Sequence, residues 1–154
     1  MADRSGTAEL LTPEDTIALG DSLGRELRAG DVVVLSGPLG AGKTVLAKGI
    51  AQALDVEGPV VSPTFVLARV HRARREGAPA MVHVDLYRLL DQSSVDLLAE
   101  LDSLDLDTDL DDAVVVVEWG EGVAERLSDN HLDIRLERCA DTDARTAIWQ
   151  WSRA

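Results

Sequence analysis

The 154-residue sequence predicts one α/β domain, residues 1–154, with a partly parallel central sheet and antiparallel additions. Three observations support this class. The runs DVVVLS and AVVVVEW are continuously apolar, as strands buried on both faces of a parallel sheet are. Segments with helical spacing are interleaved with these runs. Stretches such as HLDIRLE alternate between apolar and polar residues, which is typical of antiparallel strands with one solvent face.

The first predicted element is a helix that begins after Thr12. The Thr12 hydroxyl can cap the N–H groups of the first turn, and Pro13 suits the first helical position. Acidic residues at 14 and 15 lie near the positive end of the helix dipole. We expect the helix to run to Arg28, with Gly30 as its stop.

A buried strand and a second helix are predicted next. The apolar run DVVVLS, residues 31–36, predicts the strand. The helix is expected from Lys43 to about Leu54, because Leu46, Ile50 and Leu54 recur on one stripe at helical spacing.

The remaining chain is predicted to add a hairpin, a second buried strand and a closing pair of strands. The hairpin joins TFVLARVHR to PAMVHVDLY through ARREGA, and AVVVVEW is the second buried strand. Helices are expected at about 93–101 and 121–127. The alternating stretches HLDIRLE and RTAIWQW close the chain.

The charge of the chain argues against an independent nucleic-acid binder. The net charge is −13, and 13 of the 15 basic residues are arginine. Affinity for a phosphate backbone comes from neutralising its charge, so the chain as a whole repels nucleic acid. Five aromatic residues also leave little material for stacking on bases.

The sequence further predicts a cytoplasmic protein. Its longest apolar runs have four or five residues, far short of the roughly 20 that a membrane-spanning helix needs. The start, MADRSGTAEL, lacks the basic and apolar regions of a secretory signal. The single cysteine, Cys139, excludes an internal disulfide and a zinc cluster.

Residues 37–44, GPLGAGKT, satisfy the phosphate-binding pattern G-x-x-x-x-G-K-[ST] between the buried strand and the second helix. Glycines let successive N–H groups point at phosphates, and the helix adds its positive end. We expect Lys43 to reach the β- and γ-phosphates and the Thr44 hydroxyl to bind Mg²⁺. The pattern predicts a P-loop NTPase-type three-layer fold, with a nucleotide site formed by Gly37, Gly40, Ala41, Gly42, Lys43, Thr44 and Val45.

A P-loop also needs a carboxylate beyond a neighbouring strand to hold the metal, directly or through water. Glu118 ends the run AVVVV, the only other strand apolar enough to lie buried beside the P-loop strand. Asp85 ends MVHV, which alternates and is expected to be less central. Each acid could instead cap the turn that follows it.

The sequence excludes guanine recognition through an N-K-x-D motif. Its only asparagine, Asn130, precedes His131, and its only lysines are Lys43 and Lys48. A small-molecule kinase stays open, because the arginines of RVHRARR could supply a closing lid. Such a kinase would also need a substrate pocket, and 154 residues leave little chain to build one.

Four motifs in order, GPLGAGKT, VSPTF, HVDLYRL and VVEW, closely resemble the TsaE family (formerly YjeE) from about Leu10 to Leu136. The resemblance implies an ATPase of the P-loop fold, with ATP and Mg²⁺ as ligands. It also implies a complex with TsaD and TsaB, through which the protein would act on tRNA indirectly. Those partners transfer threonylcarbamoyl to the adenosine beside the anticodon, in tRNAs that read codons beginning with A.

The resemblance also implies roles for single residues. Lys43 and Thr44 take the phosphate and Mg²⁺ positions, and Glu118 of VVEW takes the second metal position. Asp85 of HVDLYRL matches a catalytically important acid near the γ-phosphate. Thr64 of VSPTF lies in a segment that resembles a GTPase switch able to sense that phosphate. The candidate catalytic residues are therefore Lys43, Asp85 and Thr64.

The sequence also supports interpretations of one histidine and of two charged segments. His83, on an alternating strand, is expected to be a hydrogen-bonded structural histidine. The acidic run at 101–112 is either a solvated loop or a partner-facing surface. The basic cluster, which comprises Arg69, Arg72, Arg74 and Arg75, is either a solvated hairpin or a contact with a partner or tRNA.

Overall fold

The computed structural model describes residues 5–38, 41–60, 68–85, 112–118, 130–139, 142 and 144–152. Two helices and seven strands lie in these ranges. In chain order they are β1 (Ser5–Leu10), α1 (Pro13–Gly24), β2 (Val32–Ser36), α2 (Lys43–Leu54), β3 (Ala68–His71), β4 (Ala80–Asp85), β5 (Ala113–Glu118), β6 (His131–Arg138) and β7 (Arg145–Ser152).

The seven strands form one mixed sheet in the order β1-β7-β6-β2-β5-β4-β3. β2 pairs in parallel with β5 on one side and β6 on the other, and β4 pairs in parallel with β5. The pairs β1–β7, β6–β7 and β3–β4 are antiparallel. The α/β class with a partly parallel sheet and antiparallel additions is confirmed, including the predicted hairpin and closing strand pair.

The central strands are buried on both faces, as their continuous apolar runs predict. Val33 and Leu35 of β2 join the core cluster with Leu46 and Ile50 of α2, and all four are fully buried. The alternate residues of β2 and β5 are buried as well. Burial of both faces is what parallel strands inside a layered α/β fold show.

Helix α1 begins as the sequence predicts and ends earlier. Thr12 and Asp15 form a capping box, in which Thr12 Oγ1 accepts from the Asp15 N–H at 3.2 Å and Asp15 Oδ2 accepts from the Thr12 N–H at 3.2 Å. The predicted end at Arg28 is wrong, because the α-helix stops at Gly24. Beyond it the Leu27 N–H donates to the Gly24 carbonyl, so the chain continues in tighter turns.

Two glycines bring α1 and α2 into close contact. A Cβ atom on Gly20 would lie 2.4 Å from the Leu46 carbonyl oxygen, and one on Gly49 would lie 2.2 Å from the Ile17 carbonyl oxygen. No side chain fits in either place, so the two backbones touch directly. This contact fixes α2, which begins at Lys43, against α1.

The N-terminal strand β1 was not predicted from the sequence. It pairs with β7 along its whole length, and Gly6 lies against the Trp149 ring, where a Cβ atom would come within 2.3 Å of a ring carbon. Its sequence, SGTAEL, is short and mostly exposed, with Leu10 as its one buried residue. No apolar pattern marks such an edge strand.

We expect His71 to make stability depend on pH. Its ring is buried, Nδ1 lies 2.8 Å from the Glu57 carbonyl oxygen, and Nε2 has no hydrogen-bond partner among the described residues. Burial, as the main cause, lowers the pKa of His71 below its ordinary value of 6.5. The unfolded chain therefore binds the proton more readily, so folding stability is lost as pH falls from 6.5 through the folded-state pKa.

Urea titrations between pH 7.5 and 5.0 measure this loss in the wild type and in His71→Asn. The asparagine amide can still donate to the Glu57 carbonyl but does not titrate, so the variant should lose less stability over this range. Using the difference between the two proteins cancels the contribution of every other titrating group. Parallel stability curves would contradict the expected role of His71.

Candidate functional site

The carboxyl ends of three parallel strands, β2, β5 and β4, lie at the same edge of the sheet. The P-loop leaves β2 after Ser36 and leads into α2 at Lys43. Glu118 ends β5, and Asp85 ends β4 as its register partner. The topology thus brings the predicted phosphate loop and both predicted acids to one edge.

The loop takes the backbone path that its glycines permit. Gly37 has φ +141°, and a Cβ atom there would lie 2.4 Å from the Leu136 carbonyl oxygen. Gly42 has φ +102° and is the N-cap of α2 without a side-chain cap. The first turn of α2 therefore directs its N–H groups toward the loop, which favours an anion there.

The other predicted loop residues are placed only in part. Ala41 is fully buried, and its N–H donates to the Pro38 carbonyl at 3.1 Å, closing a turn inside the loop. Val45 lies half-buried in the first turn of α2. Gly40 lies outside the described residues, so its role stays a prediction.

The Lys43 side chain is folded into the loop. Its ammonium donates to the carbonyl oxygens of Gly37 at 2.7 Å and Pro38 at 3.0 Å, and the residue is only 5% exposed. The first two residues of the loop therefore hold this cation through their carbonyl oxygens. An ammonium inside the loop is where a phosphate oxygen bound by the loop N–H groups would meet a positive charge.

Thr44 and Glu118 meet across the site, as the strand argument predicts. Thr44 Oγ1 lies 3.5 Å from both carboxylate oxygens of Glu118, a residue 74 positions later that is 4% exposed. Adjacent oxygen ligands of Mg²⁺, at about 2.0–2.1 Å from the ion, stand roughly 2.9 Å apart. A small closure of this gap, or one intervening water, would let both groups serve one ion.

The donor chemistry at this position suits Mg²⁺. A hydroxyl and a carboxylate are hard oxygen ligands, and Mg²⁺ commonly takes one or two protein oxygens and completes its shell with phosphates and water. Within the described part of the chain, no group of three or more His, Cys, Asp or Glu side chains could hold a metal without such help. The residues present therefore fit a nucleotide-bound magnesium ion.

His83 is a neighbour of the predicted site whose contact with Glu118 sequence reasoning missed. The prediction of a hydrogen-bonded histidine holds, but its partner is the proposed metal ligand: His83 Nε2 lies 2.5 Å from Glu118 Oε2. His83 is fully buried, as are the other residues of MVHV, so β4 lacks the solvent face that its alternation suggests. The position of His83 two residues before Asp85 was the available signal, since alternate strand residues share a face.

The remaining predicted residues lie partly or wholly outside the described ranges. For Asp85 the structure gives the backbone position and register only. Thr64 and most of the acidic run at 101–112 fall outside the description, as do the helices predicted at 93–101 and 121–127. Their roles stay predictions.

The basic cluster lies at and just beyond the β3 edge of the sheet. Its four arginines are all exposed, and Arg75 Nε approaches Asp55 Oδ2 at 3.7 Å. Both interpretations of this cluster stay predictions. None of the helices in the described ranges is long and apolar enough to cross a membrane.

Comparison with known proteins finds relatives along most of the chain. A family model, described as threonylcarbamoyl adenosine biosynthesis protein TsaE, matches residues 10–147. The tRNA threonylcarbamoyladenosine biosynthesis protein TsaE of Mycobacterium tuberculosis is 74% identical over 149 residues, which cover 97% of this chain and 89% of that protein. The Bacillus subtilis protein of the same name is 33% identical over 138 residues, covering 86% and 78%.

A solved structure shows the same fold. The crystal structure of Bacillus subtilis YdiB matches with a TM-score of 0.71 and 25% sequence identity. The match covers 99% of this chain and 88% of that one.

Proposed function

The chain belongs to the TsaE family of tRNA threonylcarbamoyladenosine biosynthesis proteins, and we propose that it serves that pathway as a Mg²⁺-dependent ATPase. The observation that carries the ATPase is the approach of Thr44 Oγ1 to both Glu118 carboxylate oxygens, beside the buried Lys43 ammonium. A hydroxyl, a carboxylate and a cation around a helix N-terminus are the parts that phosphoryl transfer from a nucleotide requires.

Each residue has a defined task in this proposal. The loop N–H groups and Lys43 hold the β- and γ-phosphates, and Thr44 with Glu118 holds the ion. Mg²⁺, when bound, neutralises charge on the phosphates as the γ-phosphoryl group leaves. Asp85, at the end of the neighbouring strand, acts on the γ-phosphate side, and Thr64 senses whether that phosphate is present.

We favour hydrolysis over the small-molecule kinase alternative. A kinase needs a second pocket that excludes water and orients an acceptor hydroxyl, and 154 residues leave little chain for one. One assay distinguishes the ATPase from the kinase. An ATPase releases phosphate from ATP without any added acceptor, whereas a kinase needs the acceptor.

The ATPase would act in the cytoplasm within a complex that contains TsaD and TsaB. A net charge of −13 disfavours holding tRNA alone, so the partners would supply the tRNA contacts. Hydrolysis is expected to be slow in the isolated protein and faster in the complex. P-loop proteins that receive a missing group from a partner behave in this way.

Reconstituted tRNA modification tests the whole proposal. With TsaD, TsaB, tRNA and the activated threonylcarbamoyl donor, the wild-type protein should support several rounds of modification per complex. Lys43→Ala should fall behind after the first rounds, because it cannot hydrolyse ATP. If both proteins support equal numbers of rounds, ATP hydrolysis is not what this protein contributes to tRNA modification. A nucleotide-bound scaffold that does not hydrolyse ATP would then explain its role better.

A further inference from the structure

We propose that His83 is a positioning residue for the magnesium site, which fixes the Glu118 carboxylate in the orientation that receives the ion. The inference rests on the proposed function. Among the described residues, the His83 side chain bonds to Glu118 and not to Thr44 or Lys43, and its Nε2 lies 2.5 Å from Glu118 Oε2. An ionised carboxylate only accepts hydrogen bonds, so the imidazole Nε2 is the donor.

The strand register explains how this contact arises. His83 is the partner of Val116 in the β4–β5 pair, and Asp85 is the partner of Glu118. Register partners and alternate residues along a strand share a sheet face, so His83 lies on the same face as Glu118 and one pair behind it. Its ring therefore reaches forward along the sheet to the carboxylate from the buried side.

The carboxylate has two oxygens with different surroundings. Oε2 receives the His83 hydrogen bond, while both oxygens stand 3.5 Å from Thr44 Oγ1. A glutamate side chain has three rotatable bonds, and the His83 bond removes most of that freedom. The remaining lone pairs then point toward Thr44, where an ion shared with Thr44 would lie. Partners of metal ligands commonly act in this way.

Packing alone gives a poor account of His83. The residue is fully buried, with 0% solvent exposure, and its Nδ1 has no hydrogen-bond partner within the described ranges. Its strand neighbours Val82 and Val84 are apolar and equally buried. A buried ring nitrogen without a partner lowers stability, so an apolar residue would suit the sheet better. The hydrogen bond to Glu118 is what His83 adds that an apolar residue could not.

A matched pair of amide variants tests this role. Glutamine places its amide nitrogen about as far from the backbone as imidazole Nε2, whereas the asparagine nitrogen is one bond shorter and does not reach Glu118. Binding of a non-hydrolysable ATP analogue is titrated with Mg²⁺ for the wild type, His83→Gln and His83→Asn. We expect His83→Asn to raise the half-saturating Mg²⁺ concentration about 10–100-fold, and His83→Gln to stay close to the wild type.

Two further measurements separate positioning from folding. Excess Mg²⁺ should restore ATP hydrolysis by His83→Asn, because the ligands are present and only their orientation is lost. His83→Met keeps the side-chain volume without a donor and should behave like His83→Asn, with circular dichroism reporting the fold of each variant. His131→Asn is the matched control. His131 is also buried, and it contacts Asp133 at 3.6 Å. It begins β6 at the edge of the sheet opposite to the one that carries Glu118.

The possible outcomes distinguish this inference from the proposal beneath it. Wild-type Mg²⁺ dependence in both His83→Asn and His83→Met would overturn the positioning role alone. A loss of activity in these variants that no Mg²⁺ concentration restores would also overturn it. If the wild-type protein itself shows no Mg²⁺-dependent binding of the analogue, the proposed ATPase fails and this inference fails with it.

Discussion

Replacing Lys43 with alanine should lower the rate of ATP hydrolysis at least about 100-fold, the loss typical of removing one charge-stabilising donor from an active site. The Lys43 ammonium lies inside the phosphate loop, 2.7 Å from the Gly37 carbonyl oxygen and 3.0 Å from that of Pro38. Alanine removes the only lysine positioned to neutralise the β- and γ-phosphates. Steady-state phosphate release, with and without TsaD and TsaB, measures the effect.

The chain contains its own control for this experiment. Lys48 is the only other lysine in the sequence, lies on the same helix and is exposed. Lys48→Ala removes an equal charge from α2 and should leave the rate of hydrolysis unchanged. Lys43→Ala should also fold, because α2 is held by its glycine contact with α1 and by Leu46 and Ile50 in the core. Normal hydrolysis by a folded Lys43→Ala protein would refute the P-loop assignment.

The sequence predicted the elements whose local and long-range signals agree. The bounds of α2, Lys43 to Leu54, were predicted correctly, because a glycine-rich start, an apolar stripe and the phosphate pattern all point to the same helix. β2 and β5 were predicted from their continuous apolar runs, and their pairing followed from the scarcity of such runs. The proximity of Thr44 and Glu118 was predicted by the same reasoning.

Two features, the strand β1 and the end of α1, were not predictable in this way, because the apolar pattern marks neither of them. β1 forms by pairing with β7, and the sequence SGTAEL carries no local signal of that pairing. The early end of α1 depends on local turns that compete with the helix, among them a hydrogen bond from the Arg28 N–H to the Asp31 carboxylate at 2.8 Å. Sequence reasoning placed the stop at Gly30, which instead lies in the turn before β2 with φ +90°.

The contact between His83 and Glu118 shows the same limit within the site. The two residues are 35 positions apart, and their meeting depends on the register of β4 against β5. A register shift of one residue would turn His83 to the opposite face. The sequence could indicate that each residue is buried or chemically suited to the site. Only the pairing of the strands decides that one holds the other.

Glu118→Gln should impair Mg²⁺-dependent ATP binding on the order of 100-fold, while Asp85→Asn should bind Mg·ATP normally and hydrolyse it slowly. The structure sharpens the first expectation. His83 Nε2 donates to one Glu118 oxygen, so a glutamine would satisfy that bond with its amide oxygen and turn its NH₂ group toward Thr44. The variant therefore loses the negative charge and also presents hydrogen-bond donors where the cation would sit.

Both variants keep the size and shape of the original side chain, so the comparison isolates the charge. Analogue binding is titrated with and without Mg²⁺, and hydrolysis is followed under saturating Mg·ATP. Without Mg²⁺, Glu118→Gln should bind nucleotide as the wild type does, because the loop N–H groups and Lys43 still hold the phosphates. If Asp85→Asn loses the Mg²⁺ dependence and Glu118→Gln keeps it, the two acids have exchanged roles. In that case the ion sits against β4, and the approach of Thr44 to Glu118 does not mark the metal site.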